Sequence, residues 1–165
     1  MITRDVSSVD VRDFDAFFDK EYPPLLRLMF GMTGNLLEAE ELAQEAMTRA
    51  LERWDRVSAM VSPAGYVYRT AVNLNRSRLR RLRRQLRWSG GSLRSSDPEP
   101  EVIGSLMTAL SALPRGQREA LLLVEWLGLS AQEAGRILRI SPSSVRSRVH
   151  RAKAALSIEE DDAGG

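Results

Sequence analysis

Residues 129–156, LSAQEAGRILRISPSSVRSRVHRAKAAL, contain two short amphipathic segments joined by a very tight connection. At 100° per residue, Val145, Val149, Ala152 and Leu156 fall on one face of the second segment. Ser143, Ser147, His150 and Arg151 fall opposite, with Arg146 at the edge. The first segment offers Ala134, Ile137 and Leu138 as the packing partner. Between them Arg139-Ile140-Ser141 is short, with Ser141 placed to cap the second helix and Pro142 at its first position. Two helices so joined, the second apolar behind and Ser/Arg/His in front, make a helix-turn-helix whose front enters the major groove of duplex DNA. Arg146 and Arg151 are long enough for guanine edges or phosphates, and Ser143, Ser144 and Ser147 are short enough to admit the backbone. His150 becomes a candidate base contact only through its place on that face. An ordinary surface helix with a solvated basic front is the plainer alternative, and the agreement of turn, cap and face speaks against it.

Toward the N-terminus the pattern stays helical, with no period-2 alternation. A segment over residues 13–32 places Phe14, Phe17, Phe18, Leu25, Leu28 and Met29 on a helical period, and Pro23-Pro24 should break or restart it. Thr33-Gly34-Asn35 is a turn. A helix over 36–54 buries Leu42, Ala46, Ala50 and Trp54; residues 56–62 form a loop; and Pro63 opens a long helix to about Trp88. Residues 89–101, small, polar and rich in Pro and Gly, form a flexible linker. Beyond it helices follow over 102–112, 115–127, 131–139 and 142–156, with a frayed acidic tail over 159–165. The fold class is therefore all-α: two small helical domains, 1–88 and 102–165, joined by a flexible linker, the C-terminal one a helix-turn-helix.

Charge is sorted along this frame. The net charge is only +2 over 165 residues. Yet no acid occurs from Arg56 to Ser96, where Arg56, Arg69, Arg76, Arg78, Arg80, Arg81, Arg83, Arg84, Arg87 and Arg94 all lie. Composition alone leaves this block as either a solvated face or a polyanion footprint. On a helix it resolves into a stripe: Tyr66, Arg69, Asn73, Arg76, Ser77, Arg80, Arg84 and Arg87 share one side, opposite Val67, Tyr68, Ala71, Val72, Leu74, Leu79, Leu82 and Leu86. Arginines track phosphates, and an aromatic among them can stack an unpaired base. The absence of cysteine rules out disulfides and thiolate metal sites, and one histidine argues against a zinc site or a His-based triad. No phosphate-cradling glycine loop is present. The polar N-terminus lacks a signal-peptide core, and the apolar run at 120–129 is interrupted by Glu125 and too short to span a bilayer. The expectation is a cytoplasmic protein, not an enzyme, with no cofactor or metal and no membrane partner.

Five segments occur in order: Glu38-Ala-Glu-Glu-Leu-Ala-Gln-Glu45, Tyr66-Val-Tyr-Arg-Thr-Ala-Val-Asn73, Leu110-Ser-Ala-Leu-Pro114, Gly128-Leu-Ser-Ala-Gln-Glu133 and Ser144-Val-Arg-Ser-Arg-Val-His-Arg-Ala152. Together they resemble the bacterial extracytoplasmic-function (ECF) sigma factors of RNA polymerase, over most of the chain. The resemblance implies a region-2-like domain over 1–88 and a region-4-like domain over 102–165. It places Glu41, Gln44 and Glu45 where the family docks on the β′ coiled coil of core polymerase. It aligns residues 56–62, which begin with Arg56, with the loop that captures a flipped base of the −10 element. Asn73 then matches a residue beside that base, with Arg69, Arg76 and Arg80 along the strand backbone and Tyr66 near the start of the same helix, among the residues for the −10 element. It assigns Ser143, Ser144, Arg146, Ser147, His150 and Arg151 to the −35 element. Promoter DNA and core polymerase are the implied partners, and an anti-sigma factor is a third that the residues leave open. The chain departs from the family at Ala134-Gly135, where a large aliphatic residue usually precedes Ala, leaving a less stable domain or closer helices. It departs also at Arg139, in a turn position often held by Gly, and at Tyr66, where tryptophan is common. A dimeric helix-turn-helix repressor or activator, acting on a palindrome without polymerase, is the alternative.

Overall fold

The computed structural model describes residues 6–90 and 103–163, and among them every regular element is helical. Helix α1 (Val6–Thr33) runs without interruption through Pro23 and Pro24. This corrects the expected break. Neither proline has an N–H to donate, so the carbonyls of Asp19 and Lys20 lose their ladder partners, but Asp19 and Lys20 are exposed. Directly after the prolines and one turn on, Leu25, Leu28 and Met29 are fully buried, and their tertiary contacts outweigh the local cost.

Asn35 starts α2 (Leu36–Glu52), its side chain accepting the Glu38 amide. The face Ala39, Leu42, Ala43, Ala46, Met47 and Ala50 is buried, and its small side chains let α1 approach closely. Trp54 opens a single turn, α3 (Trp54–Val57), so Arg56 stands on a helical turn rather than in open loop. Its ring packs edge-on against Phe14, centroids 5.2 Å apart, which anchors the turn to α1. After residues 58–62, Ser62 caps α4 (Pro63–Ser89) by accepting the Gly65 amide, and Gly90, at φ 65°, closes it.

The C-terminal half comprises α5 (Ile103–Ala112), α6 (Arg115–Leu121), a π-helical turn (Leu122–Trp126), α7 (Ala131–Leu138) and α8 (Pro142–Ala163). The single helix expected over 115–127 thus widens at its end, where Leu127 N–H reaches back to Leu122 C=O. Leu121, Leu122 and Leu123 are all buried, a run that one face of a regular helix could not keep from water. Helix α8 also continues to Ala163, into the tail expected to fray over 159–165, whose last two residues lie outside those described.

The expected linker lies outside the described residues, apart from Ser89 and Gly90. The two halves it joins are packed on one another, sharing one apolar cluster. A Cβ added to Gly31 of α1 would lie 2.8 Å from the Trp126 ring and 2.9 Å from Leu122, so only glycine lets the π turn seat there. Arg118 of α6 donates to the carbonyls of Leu110, Ser111 and Leu113, and also to Met32 C=O at the end of α1.

Candidate nucleic-acid interface

The helix-turn-helix is held by two serine caps and one close backbone contact. Ser130 accepts the Glu133 amide at 3.1 Å while the Glu133 carboxylate accepts the Ser130 amide at 2.8 Å, a capping box. The Ser130 amide donating to the Glu133 carboxylate, and then the Ser130 hydroxyl, hold that carboxyl below its ordinary pKa. Arg139 closes α7 at φ 58°, the one non-glycine residue in left-handed backbone among those described. Ile140 N–H then bonds to Gly135 C=O at 3.0 Å. A Cβ at Gly135 would meet the Ile140 carbonyl at 2.7 Å. The small Gly135 therefore lets the turn come down onto α7. Ser141 accepts the Ser144 amide at 3.1 Å, capping α8.

Behind α8, Val145, Val149 and Ala152 are buried as expected, with Leu156 partly so. In front, Ser143, Arg146, Ser147, His150 and Arg151 are exposed. Ser143 and Ser144 are partly engaged already, their hydroxyls 3.0 and 2.8 Å from that of Ser141. Arg148 turns away from the front and lies over Gly116 of α6, its Nη1 2.8 Å from where a Cβ would be.

The arginine-striped face of α4 is placed differently. Asn73 and Arg80 are exposed, as is Arg56 on α3. Arg80 donates to the Ser77 hydroxyl at 3.0 Å. Tyr66 and Arg69 are half-buried in a cleft of about 390 Å³, shared with Met60, Val61 and, from the other half, Leu129, Glu133, Arg136 and Ile137. Arg76 is taken up by Glu119 of α6, through Nε–Oε1 at 3.1 Å and Nη2–Oε2 at 2.6 Å. Glu119 is 1% exposed, and Arg115 adds a longer ion pair at 3.7 Å. The fork-shaped contact to that carboxylate raises the Arg76 pKa above its ordinary value, so the pair stays charged on the arginine side.

Sequence reasoning did not single out Asn75, Arg78 or Glu119. Asn75 and Glu119 are buried polar residues. Arg78 ties α4 to α2 through Glu38 at 2.9 Å. Within the 56–62 loop, Met60 and Val61 were not named individually, and Val61 is fully exposed. Tyr68 is core: its hydroxyl donates to Glu21 at 2.7 Å, and burial, then that acceptor, push its pKa up. On α2, Glu41, Gln44 and Glu45 are exposed together, Glu45 pairing with Arg49 at 2.8 Å. Leu37, four residues before Glu41 and two-thirds exposed, extends their patch with an apolar end. Among the described residues no His, Cys, Asp or Glu cluster could hold a metal, and no helix is long and apolar enough to cross a membrane.

Residues 17–85 match the family described as Sigma-70 region 2, and residues 103–156 match Sigma-70, region 4. The chain is 32% identical over 141 residues to ECF RNA polymerase sigma factor EcfG of Rhodopseudomonas palustris, covering 82% of this chain and 78% of the relative. It is 29% identical to ECF RNA polymerase sigma factor SigW of Bacillus subtilis, covering 94% of this chain and 95% of that one. Its fold is similar to that of sigma factor RpoE of Bartonella quintana, solved in complex with the anti-sigma factor NepR. That match has a TM-score of 0.82 at 23% identity and covers 88% of this chain and 94% of the other. It is similar also to CnrH, solved with the cytosolic domain of CnrY, at a TM-score of 0.69 and 22% identity over 92% of this chain and 89% of the other.

Proposed function

This chain belongs to the ECF RNA polymerase sigma factors, and on that premise we propose how its surfaces divide the work of promoter recognition. The exposed face Glu41, Gln44 and Glu45 of α2 docks on the β′ coiled coil of core polymerase, with Leu37 adding an apolar contact. Arg56, Tyr66, Arg69, Asn73, Arg76 and Arg80 handle the opened −10 element. Arginines hold the strand backbone, Asn73 and Tyr66 address an unpaired base, and the exposed loop residues Met60 and Val61 offer it an apolar surface. The front of α8, with Ser143, Ser144, Arg146, Ser147, His150 and Arg151, reads the −35 element as duplex. The protein performs no bond chemistry itself and acts in the cytoplasm with polymerase. Two weak readers on one chain gain effective concentration when both elements are correctly spaced. An anti-sigma factor is a further partner consistent with the relatives' complexes.

The observation that carries this reading is the α8 front: exposed Arg146, Ser147, His150 and Arg151 over buried Val145, Val149 and Ala152, in one chain with a region-2 half. The test mixes purified chain with core polymerase on a genomic promoter library. A stable complex that starts transcription at asymmetric two-element promoters is expected. No complex at micromolar concentration, or binding to a palindrome without core, would overturn it.

A further inference from the structure

The Arg76–Glu119 contact joins a residue of the proposed strand-binding face to a carboxylate of the opposite half. Both Nε and Nη2 of Arg76 are spent on it. Ten and seven residues earlier on the same face, Tyr66 and Arg69 share their cleft with Leu129, Glu133, Arg136 and Ile137 of the other half. A strand laid along Tyr66, Arg69, Asn73 and Arg76 would have to occupy space held by α6 and α7. The front of α8 has no such cover, since Arg146, Ser147, His150 and Arg151 are exposed.

We infer that the Glu119–Arg76 pair is an autoinhibitory latch: the region-4 half closes over the strand-binding face of α4, and Glu119 takes the arginine that promoter DNA needs. The inference rests on the reading of that face as strand-binding. Carboxylate and phosphate are the same kind of acceptor for a guanidinium fork, so strand and Glu119 compete for one donor. Arg115, already 3.7 Å from Glu119, stands ready to take the carboxylate when Arg76 leaves. Around the latch the two halves meet through their shared apolar cluster. Gly31 seats a Trp126 that is 41% exposed, and Arg118 bridges to Met32 C=O by one hydrogen bond at 3.2 Å. The closed state leaves duplex reading by α8 available while withholding strand reading by α4, so the free chain does not bind single strands before core polymerase separates the halves.

The chain contains no cysteine, so Glu52→Cys and Ala154→Cys, exposed and on opposite halves, give a clean labelled pair for an inter-half distance in the full-length protein. Two variants attack the latch from different sides: Glu119→Gln removes the charge, and Gly31→Leu wedges Trp126 and Leu122 away from α1. Each is scored by that distance, by affinity for a fluorescent single-stranded oligonucleotide, and by thermal melting as a check of folding. The parent should give one short distance, and both variants a longer, broader distribution. If the closed state holds nine-tenths of the free molecules, single-strand affinity should rise about tenfold on opening. An unchanged distance in a folded variant of either kind overturns the latch alone. A lengthened distance without any gain in single-strand affinity overturns the claim that closure covers the strand-binding face. A complete lack of single-strand binding in opened variants overturns the strand reading of α4 itself, and the latch as an inhibitor with it.

Discussion

The front of α8 and the arginine face of α4 are both basic helix surfaces, and they are held in opposite ways. On α8 the support lies behind the helix: Val145, Val149 and Ala152 are buried, the Ser141 cap fixes the start, and the side chains proposed to read DNA project into solvent. On α4 part of the proposed reading face is itself a packing surface, with Arg76 tied to a buried carboxylate and Tyr66 and Arg69 in a shared cleft. A pre-set reader binds as soon as it meets its element. A covered one binds only after rearrangement, so its apparent affinity is lowered by the fraction of molecules that are closed.

The largest expected effect tests whether α8 owes its readiness to the turn beneath it. Gly135→Ala forces a Cβ to 2.7 Å from the Ile140 carbonyl oxygen, which is backbone and cannot rotate aside. Overpacking of this kind costs up to about 3 kcal/mol, so denaturant unfolding should show the region-4 half destabilised and upstream-element binding lost with it. Next comes the front itself. Arg146→Ala and His150→Ala should each weaken upstream-element selection by about 1–3 kcal/mol per lost base contact, measured as competition between promoter variants, with folding unchanged because both side chains are exposed. Equal losses on every duplex sequence would reduce both residues to phosphate contacts and blur the contrast with α4.

A smaller effect concerns the entry to α7. Ser130→Ala removes one half of the capping box and should cost about 1 kcal/mol in unfolding free energy. The other half has a pH signature. Glu133 has a folded pKa below its ordinary 4.5, so its contribution is fully present above that ordinary value and is lost as pH falls through the lower, folded one. The stability difference between parent and Glu133→Gln should therefore vanish toward the acid end of that window and be flat above it. The smallest effect is a gain. Arg139 adopts φ 58° where Gly34, Gly90 and Gly128 serve at the other left-handed positions. Left-handed backbone costs an ordinary residue about 1–2 kcal/mol, and glycine's extra unfolded-state freedom returns part of that. Arg139→Gly should thus raise stability by about 0.5 kcal/mol in thermal or denaturant melts, leaving DNA selection unchanged.

Which of these features could be read from residues alone follows from the range of the forces involved. The cap at Ser141, the buried stripe of α8 and the turn at Arg139 are all set within a few residues, so spacing and residue type reveal them. Pro23 and Pro24 mislead for the complementary reason. A local rule predicts a break, and the burial of Leu25, Leu28 and Met29 against distant helices overrides it. The run Leu121-Leu122-Leu123 looks like the end of an ordinary helix, because the Gly31 surface that receives the π turn lies far earlier in the chain.

The sequence by itself determined an all-helical chain with a helix-turn-helix near its end and an arginine-lined helix near its middle. Each of these depends on periodicity, capping and charge within one element. Only the tertiary structure decided that the two halves pack on one another, and that Arg76 is held by a carboxylate 43 residues away. A helical period tells which residues share a face; it carries no information about what that face meets. Glu119 is spaced like any helix-surface glutamate, and its burial depends on how α6 and α4 come together.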